Sequence, residues 1–253
     1  MVSQTEQFFR SYWQSRPAVR RNAALAGNMT LAEKLAWQDL LRRHLGLTGR
    51  THKTLEVGAG VGAIAHILAG LRVHCTAVDW SADQLEVAQQ RWDESKQGVR
   101  GSCRFVEGDA DAIEADDQTF DSVLAVNVLS QLLNPQKALN EWQRVLKPGG
   151  KLVVVEDDRN SAEMRQAALD LQKAQLADDP LGAEWLEKLE RCPLWQANGS
   201  DIEAALQIAG YQSMQHTVGA GQLVRTGRWR WRTYAVGYMI VSAETASTET
   251  LSS

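Results

Sequence analysis

The sequence predicts an α/β fold built on a doubly wound, mostly parallel sheet. Three observations carry this expectation. Short apolar runs recur at Thr54–Val57, Val73–Val78, Cys103–Val106, Ser122–Val126 and Leu152–Glu156. Segments of helical periodicity separate them. A glycine-rich turn follows the first run and leads straight into a helix. Strand–helix alternation of this kind implies right-handed crossovers and a sheet covered on both faces. The runs at Ser122–Val126 and Leu152–Glu156 are nearly continuous in apolar residues, as strands buried on both faces are.

Taken in order, residues 1–50 read as a helical N-terminal arm. Thr30 and Glu33 form a capping box, and Leu31, Leu35, Leu41 and Leu45 run down the helix to Gly46. Residues 51–158 form the core. Within it, Ser81 and Gln84 open a helix whose one face carries Leu85, Ala88 and Trp92. Pro135 starts another, with Ala138, Leu139, Trp142, Val145 and Leu146 at helical spacing. Lys147, Pro148, Gly149 and Gly150 then turn the chain into the fifth strand. Residues 159–199 read as a charged helical insertion, broken at Asp179-Pro180 and Cys192-Pro193. Over 200–242, Ser200 and Glu203 open a helix ending at Gly210, followed by β-like stretches at Met214–Val218 and Tyr234–Ser242. Residues 243–253 lack apolar periodicity and predict a disordered tail.

At 253 residues, with 44% hydrophobic and 23% charged, the chain has the composition of an ordinary globular protein and enough length for a proper core. No run approaches the roughly 18 apolar residues of a membrane span, and the N-terminus lacks a secretory pattern. The three cysteines, Cys75, Cys103 and Cys192, make neither a disulfide framework nor a metal knuckle. A cytoplasmic protein with reduced thiols is expected. A net charge of −4 argues against nucleic acid or anionic membrane as a partner. The histidines show no metal-ligand spacing, so no metal site is expected.

The glycine-rich turn is the sharpest local signal. Gly58, Gly60 and Gly62 let the backbone turn tightly and leave room for a ligand against it, and the helix beyond offers unpaired N–H groups. Taken alone it is ambiguous. Gly58, Gly60 and Ala63 satisfy a dinucleotide fingerprint, with Asp79 lying 21 residues after Gly58. A tight turn with no ligand is the plain alternative.

Its surroundings narrow the choice. Glu56 precedes the first glycine. Asp79-Trp80-Ser81 ends the second strand, and Gly108-Asp109-Ala110 follows the third. Asp116–Asp121 leads into Val123–Asn127, and Leu146–Lys151 carries the Lys-Pro-Gly-Gly turn. With these stretches in order, residues 50–158 resemble the class I S-adenosylmethionine-dependent methyltransferases, in particular the type 11 group related to quinone-biosynthesis enzymes. The resemblance implies a Rossmann-like sheet of seven strands and S-adenosylmethionine as cofactor. It implies that Glu56, Gly58, Ala59, Gly60, Gly62, Asp79, Trp80, Asp109, Ala110 and Asn127 bind it. Asp79 would hold the ribose hydroxyls, Trp80 would lie against the adenine, and Asp109 would reach the adenine amino group. The activity implied is methyl transfer to a small molecule by in-line displacement, with proximity and desolvation as the main catalytic effects. Two departures matter. Gln131 stands where the group often has a histidine, so no general base is available there. The arm lacks the group's usual Tyr-Asp pair, and Tyr12 with Trp13 would cover the cofactor instead.

Substrate candidates lie elsewhere. Glu156, Asp157 and Asp158 end the fifth strand, on the edge where open α/β sheets bind ligands. Asp157 would accept a proton or bind an amine; solvated loop acids are the plain alternative. In an extended 225–232 stretch, Arg228, Arg230 and Arg232 would line one side, opposite Trp229 and Trp231. They would bind an anionic acceptor, or else form an exposed strand or hairpin. Nine tryptophans, several on the substrate side, favour an aromatic acceptor or plain packing. The arm and the 159–199 segment would form a lid. Rival functions are a cofactor-binding regulatory or partner protein without turnover, and an NAD-dependent dehydrogenase.

Overall fold

The computed structural model describes residues 3–47, 51–157, 159–217 and 240–246 in full, and the backbone of 225–229, 232–236 and 238–239. The arm folds as α1 (Gln4–Gln14), α2 (Arg16–Gly27) and α3 (Leu31–His44). The core follows as β1 (His52–Val57), α4 (Ala63–Gly70), β2 (Val73–Asp79), α5 (Ala82–Ser95), β3 (Ser102–Glu107) and β4 (Phe120–Val126). A short 3-10 turn (Leu129–Gln131), α6 (Pro135–Val145) and β5 (Leu146–Asp157) complete it. Beyond lie α7 (Ala162–Gln175), α8 (Gly182–Leu189), α9 (Gly199–Ile208), β6 (Gln212–Thr217), β7 (Arg225–Trp229), β8 (Arg232–Val236) and β9 (Tyr238–Glu244).

Seven strands make one sheet in the order β3-β2-β1-β4-β5-β9-β6. The first five are parallel; β9 runs antiparallel to both β5 and β6. The order reverses between β1 and β4, and that switch opens a crevice at the carboxyl ends of the strands. Alternation along β5 shows why its run is continuously apolar. Leu152 and Val154 face a layer with Leu139 and Trp142 of α6 and Leu206 of α9. Val153 and Val155 face the opposite layer, with Leu41 of α3 and Leu68 of α4. Among the described residues no helix is long and apolar enough to cross a membrane.

Several local expectations need correction. Leu41 and Leu45 are buried as expected, but Leu31 and Leu35 are exposed, and Trp37 and Leu40 complete the buried face of α3. The last helix is capped two residues earlier than expected. The Asn198 side chain accepts from the backbone N–H groups of Ser200 and Asp201, and Asp201 accepts from the Asn198 N–H. The stretch Tyr234–Ser242 is two strands in two sheets, because β8 pairs with β7 while β9 joins the main sheet. Residues 243–246 are not tail: Ala243 is buried in β9, and the Thr245 N–H donates to the Gly150 carbonyl. Pairing with β5 supplies the order that apolar periodicity did not signal. Residues 247–253 lie outside the described residues.

The glycines of the first turn are not equivalent. Gly58, Gly60 and Gly62 all have left-handed φ, between 53° and 74°. A Cβ at Gly58 would sit 2.3 Å from Val128 Cγ2, and one at Gly62 2.9 Å from both Ala88 Cβ and Phe105 Cε1. At Gly60 the nearest atom is the Gln84 amide oxygen, at the far end of its side chain, at 3.1 Å. Gly58→Ala is therefore expected to cost about 2–4 kcal/mol of stability, from left-handed strain plus overpacking. Gly60→Ala should cost only about 1–2 kcal/mol from the strain. Urea unfolding of the two variants checks the order, and equal losses would contradict it.

Candidate active site

The site begins at the first turn and is wired to β2 by one carboxylate. Asp79 is buried and accepts from the Gly60 N–H at 2.8 Å and the Ser81 N–H at 2.9 Å. The Ala59 N–H donates to the Val78 carbonyl, a second tie between the turn and the end of β2. Glu56, also buried, lies beneath. Its carboxyl is pushed up to about 8, first by burial and then by the neighbouring Asp79. Burial likewise raises Asp79, offset in part by its backbone donors. Two desolvated acids side by side leave the turn in want of positive charge.

The third corner is Asp109, after β3. The Gly108 N–H donates to the Asp79 carbonyl, and Ala110 presents its carbonyl to the Trp142 indole N–H at 2.8 Å. The arm closes over these residues. Arg10 donates to Asp109 at 2.6 Å, and its guanidinium lies 5.0 Å from the Trp80 ring centre. Ser81 Oγ and Gln84 Nε2 both donate to the Trp13 carbonyl, and Asn22 donates to Gln84 Oε1 at 2.8 Å. The capping box expected at Ser81 is thus only half present. Its N–H serves Asp79, and the Gln84 side chain anchors the arm.

At the other half of the crevice, Asn127 follows β4 with φ of 54°, its N–H donating to the Val155 carbonyl. Its Oδ1 is buried with no hydrogen-bond partner among the described residues. Glu156 is buried and accepts from both the N–H and the Oγ of Ser130, while burial raises its pKa against the pull of Arg159. Asp157 is buried too, 3.7 Å from the Arg159 guanidinium. The solvated-acid alternative therefore fails for both. Asp158 lies outside the described residues.

Above this edge Phe8, Phe9, Tyr12 and Trp13 of α1 pack with Trp185 of α8 and with Trp195. Tyr12 stacks on Trp185 at 5.3 Å and Trp185 meets Trp195 edge-on at 6.3 Å.

Residues 55–154 match the methyltransferase domain family. Over these residues the chain carries a class I S-adenosylmethionine-dependent methyltransferase domain. A demethylmenaquinone methyltransferase of Clavibacter sepedonicus is 29% identical over 171 residues, 65% of this chain and 67% of the relative. A ubiquinone biosynthesis O-methyltransferase of Maricaulis maris is 28% identical over 225 residues, covering 83% of this chain and 80% of its own. With other curated relatives the methyltransferase shares less, spanning half of their length or under. Among solved structures, the Haemonchus contortus phosphoethanolamine N-methyltransferase 2 in complex with S-adenosyl-L-methionine superposes with a TM-score of 0.66 at 15% identity. It covers 97% of this chain, which in turn covers 61% of it. At that identity the likeness concerns the fold.

S-adenosylmethionine is the cofactor of the family, and the methyltransferase's residues fit it. The cofactor carries a sulfonium and an ammonium, and the crevice offers two acids raised by burial, a glycine turn and an unpartnered amide oxygen at Asn127. Glu56, the glycine turn, Asp79, Trp80, Asp109 and Asn127 all line the carboxyl edge.

Two sequence expectations need correction, and one residue escaped the sequence reading. Tyr12 is fully buried and its hydroxyl donates to Asp179 at 3.0 Å while accepting from Arg21, so it belongs to the aromatic cluster and is not free to cover a cofactor. Arg10, which no motif marked, reaches Trp80 and Asp109 instead. The 225–232 stretch is not one extended strand with three arginines on one side; the antiparallel pairing of β7 with β8 agrees with the hairpin alternative. The register pairs Arg228 with Thr233 and Trp229 with Arg232, so Arg225–Trp229 and Arg232–Val236 are two antiparallel strands, and positions 228 and 232 fall on opposite faces of the ribbon. Arg230 and the side chains of Arg228 and Arg232 lie outside the described residues. Among the described residues no group of three His, Cys, Asp or Glu could hold a metal ion. His66, on α4, packs by Trp92 and Phe105 and faces the Ala88 carbonyl, away from the crevice.

Proposed function

We propose that the protein transfers a methyl group to a small-molecule acceptor held between the crevice and a lid made by the arm and the 159–199 segment. The observation that carries this reading is convergence. The acids suited to the cofactor and a cluster of buried aromatic rings meet at one edge of one sheet. When bound, S-adenosylmethionine supplies an electrophilic methyl group and a neutral leaving group. The chain's own contribution is placement and exclusion of water. Alignment of this kind supplies several kcal/mol, up to about 7–11 in the best-oriented systems.

The lid reading is supported by ties from the arm to both halves of the site. Arg10 reaches Asp109, and Arg21 pairs with Asp179 of the insertion at 2.9 Å. A small aromatic or quinone-like acceptor agrees with the curated relatives, which are named for demethylmenaquinone and ubiquinone biosynthesis. Metabolite extracts incubated with protein and methyl-labelled S-adenosylmethionine, then read by mass spectrometry, test the proposal. A labelled product of low mass is expected. Tight binding of S-adenosylhomocysteine with no labelled product would favour a binding protein without turnover.

A further inference from the structure

Arg159, two positions beyond β5, is incompletely paired. Its side chain is only 3% exposed. A buried guanidinium costs several kcal/mol unless its five N–H donors are used. Its ion-pair partner is Asp157 Oδ2 at 3.7 Å, beyond good hydrogen-bond reach, and its flat face lies 4.8 Å from the Trp195 ring centre. Nη1 is buried with no hydrogen-bond partner among the described residues. A second orphan donor sits close by in the same aromatic cluster: Trp185 Nε1, on the ring that meets Trp195 at 6.3 Å. Both groups pack against the Trp195 ring, and each donor calls for an acceptor oxygen. Geometry argues which kind. The guanidinium faces Glu156, whose pKa burial raises, as well as Asp157, and its planar fork is the shape that pairs with a carboxylate.

We propose that Arg159 anchors an anionic oxygen, most simply a carboxylate, of an aromatic methyl acceptor whose ring lies against Trp195 and Trp185. This rests on the methyl-transfer reading above and assigns the acceptor's class. It also divides the crevice. The acids suited to the cofactor come from β1, β2 and the loop after β3, whereas Arg159 follows β5 and is linked to the turn after β4 through Glu156 and Ser130. Arg159 is a binding and specificity residue, with no part in bond making.

The probes are 4-hydroxybenzoate and its neutral counterpart 4-hydroxybenzamide, titrated by tryptophan fluorescence with S-adenosylhomocysteine at saturation. The acid is expected to bind the wild type about tenfold or more tighter than the amide, as a charge-assisted pair does. Arg159→Gln should abolish that preference while S-adenosylhomocysteine affinity stays within about twofold. Equal binding of the two probes to wild type, or a preference that survives in Arg159→Gln, overturns the proposal. Should Arg159→Gln fail to fold by circular dichroism, Arg159→Lys decides by the same ratio. It keeps the charge near Asp157 but loses the fork, so the preference should fall most of the way. Failure of the wild type to bind S-adenosylhomocysteine would overturn the methyl-transfer reading as well; a lost preference with that binding intact overturns only the assignment to Arg159.

Discussion

Asp79→Ala is expected to weaken S-adenosylhomocysteine by about 2–4 kcal/mol, because a ribose loses charge-assisted hydrogen bonds to a buried carboxylate. The loss is compounded by the carboxylate's second task. Its two oxygens accept from Gly60 and Ser81, so the alanine also frees the glycine turn and the start of α5. Asp79→Asn should be nearly as damaging. It keeps one acceptor, but its amide NH2 confronts a backbone N–H at the other, and the charge is gone. Calorimetry on variants that remain folded by circular dichroism reads the effect directly. Unchanged affinity in Asp79→Ala would sink the assignment of this acid to the cofactor. Tight binding of NAD by the wild type, without S-adenosylhomocysteine, would point to the dehydrogenase.

The core was legible because its rules are local. Continuous apolar runs mark β4 and β5, the glycines and Asp79 mark the first turn by residue type and spacing, and Glu56 and Asp109 are marked by the resemblance to the methyltransferases. What the sequence concealed is non-local. Arg10 is one of several arginines in a polar arm, and only tertiary folding brings it across the chain to Asp109 and Trp80. Gln84 reads as half of a helix cap, yet its amide fastens the arm. Arg159 follows three acids that read as a solvated loop. It becomes notable only once Trp195 is folded over it and Asp157 is buried beside it. The β9 strand runs into an apparent tail because its order comes from pairing with β5, not from its own apolar content.

The buried acids also predict how stability responds to pH. Glu56 is raised in the folded chain from about 4.5 to about 8. Below pH 4.5 it is protonated folded or unfolded, and its contribution is fully present. Between 4.5 and 8 the unfolded chain releases the proton while the folded chain keeps it, so stability is lost progressively as pH rises. Above about 8 both states are ionised and the loss is complete. A tenfold change in a proton's binding constant is worth about 1.4 kcal/mol, so the ligand-free protein should lose a few kcal/mol across this window. Glu56→Gln stays neutral at every pH and fits the same space. It should match the wild type near pH 4.5 and exceed it by a few kcal/mol at pH 8–9. The companion acid makes the variant informative, since removing one charge from the pair also relieves Asp79. Urea unfolding of both proteins without ligand at pH 5, 6.5, 8 and 9 gives the two curves. Parallel curves would show that Glu56 is ionised in the fold throughout, and that the desolvated pair is not what the glycine turn presents to the cofactor.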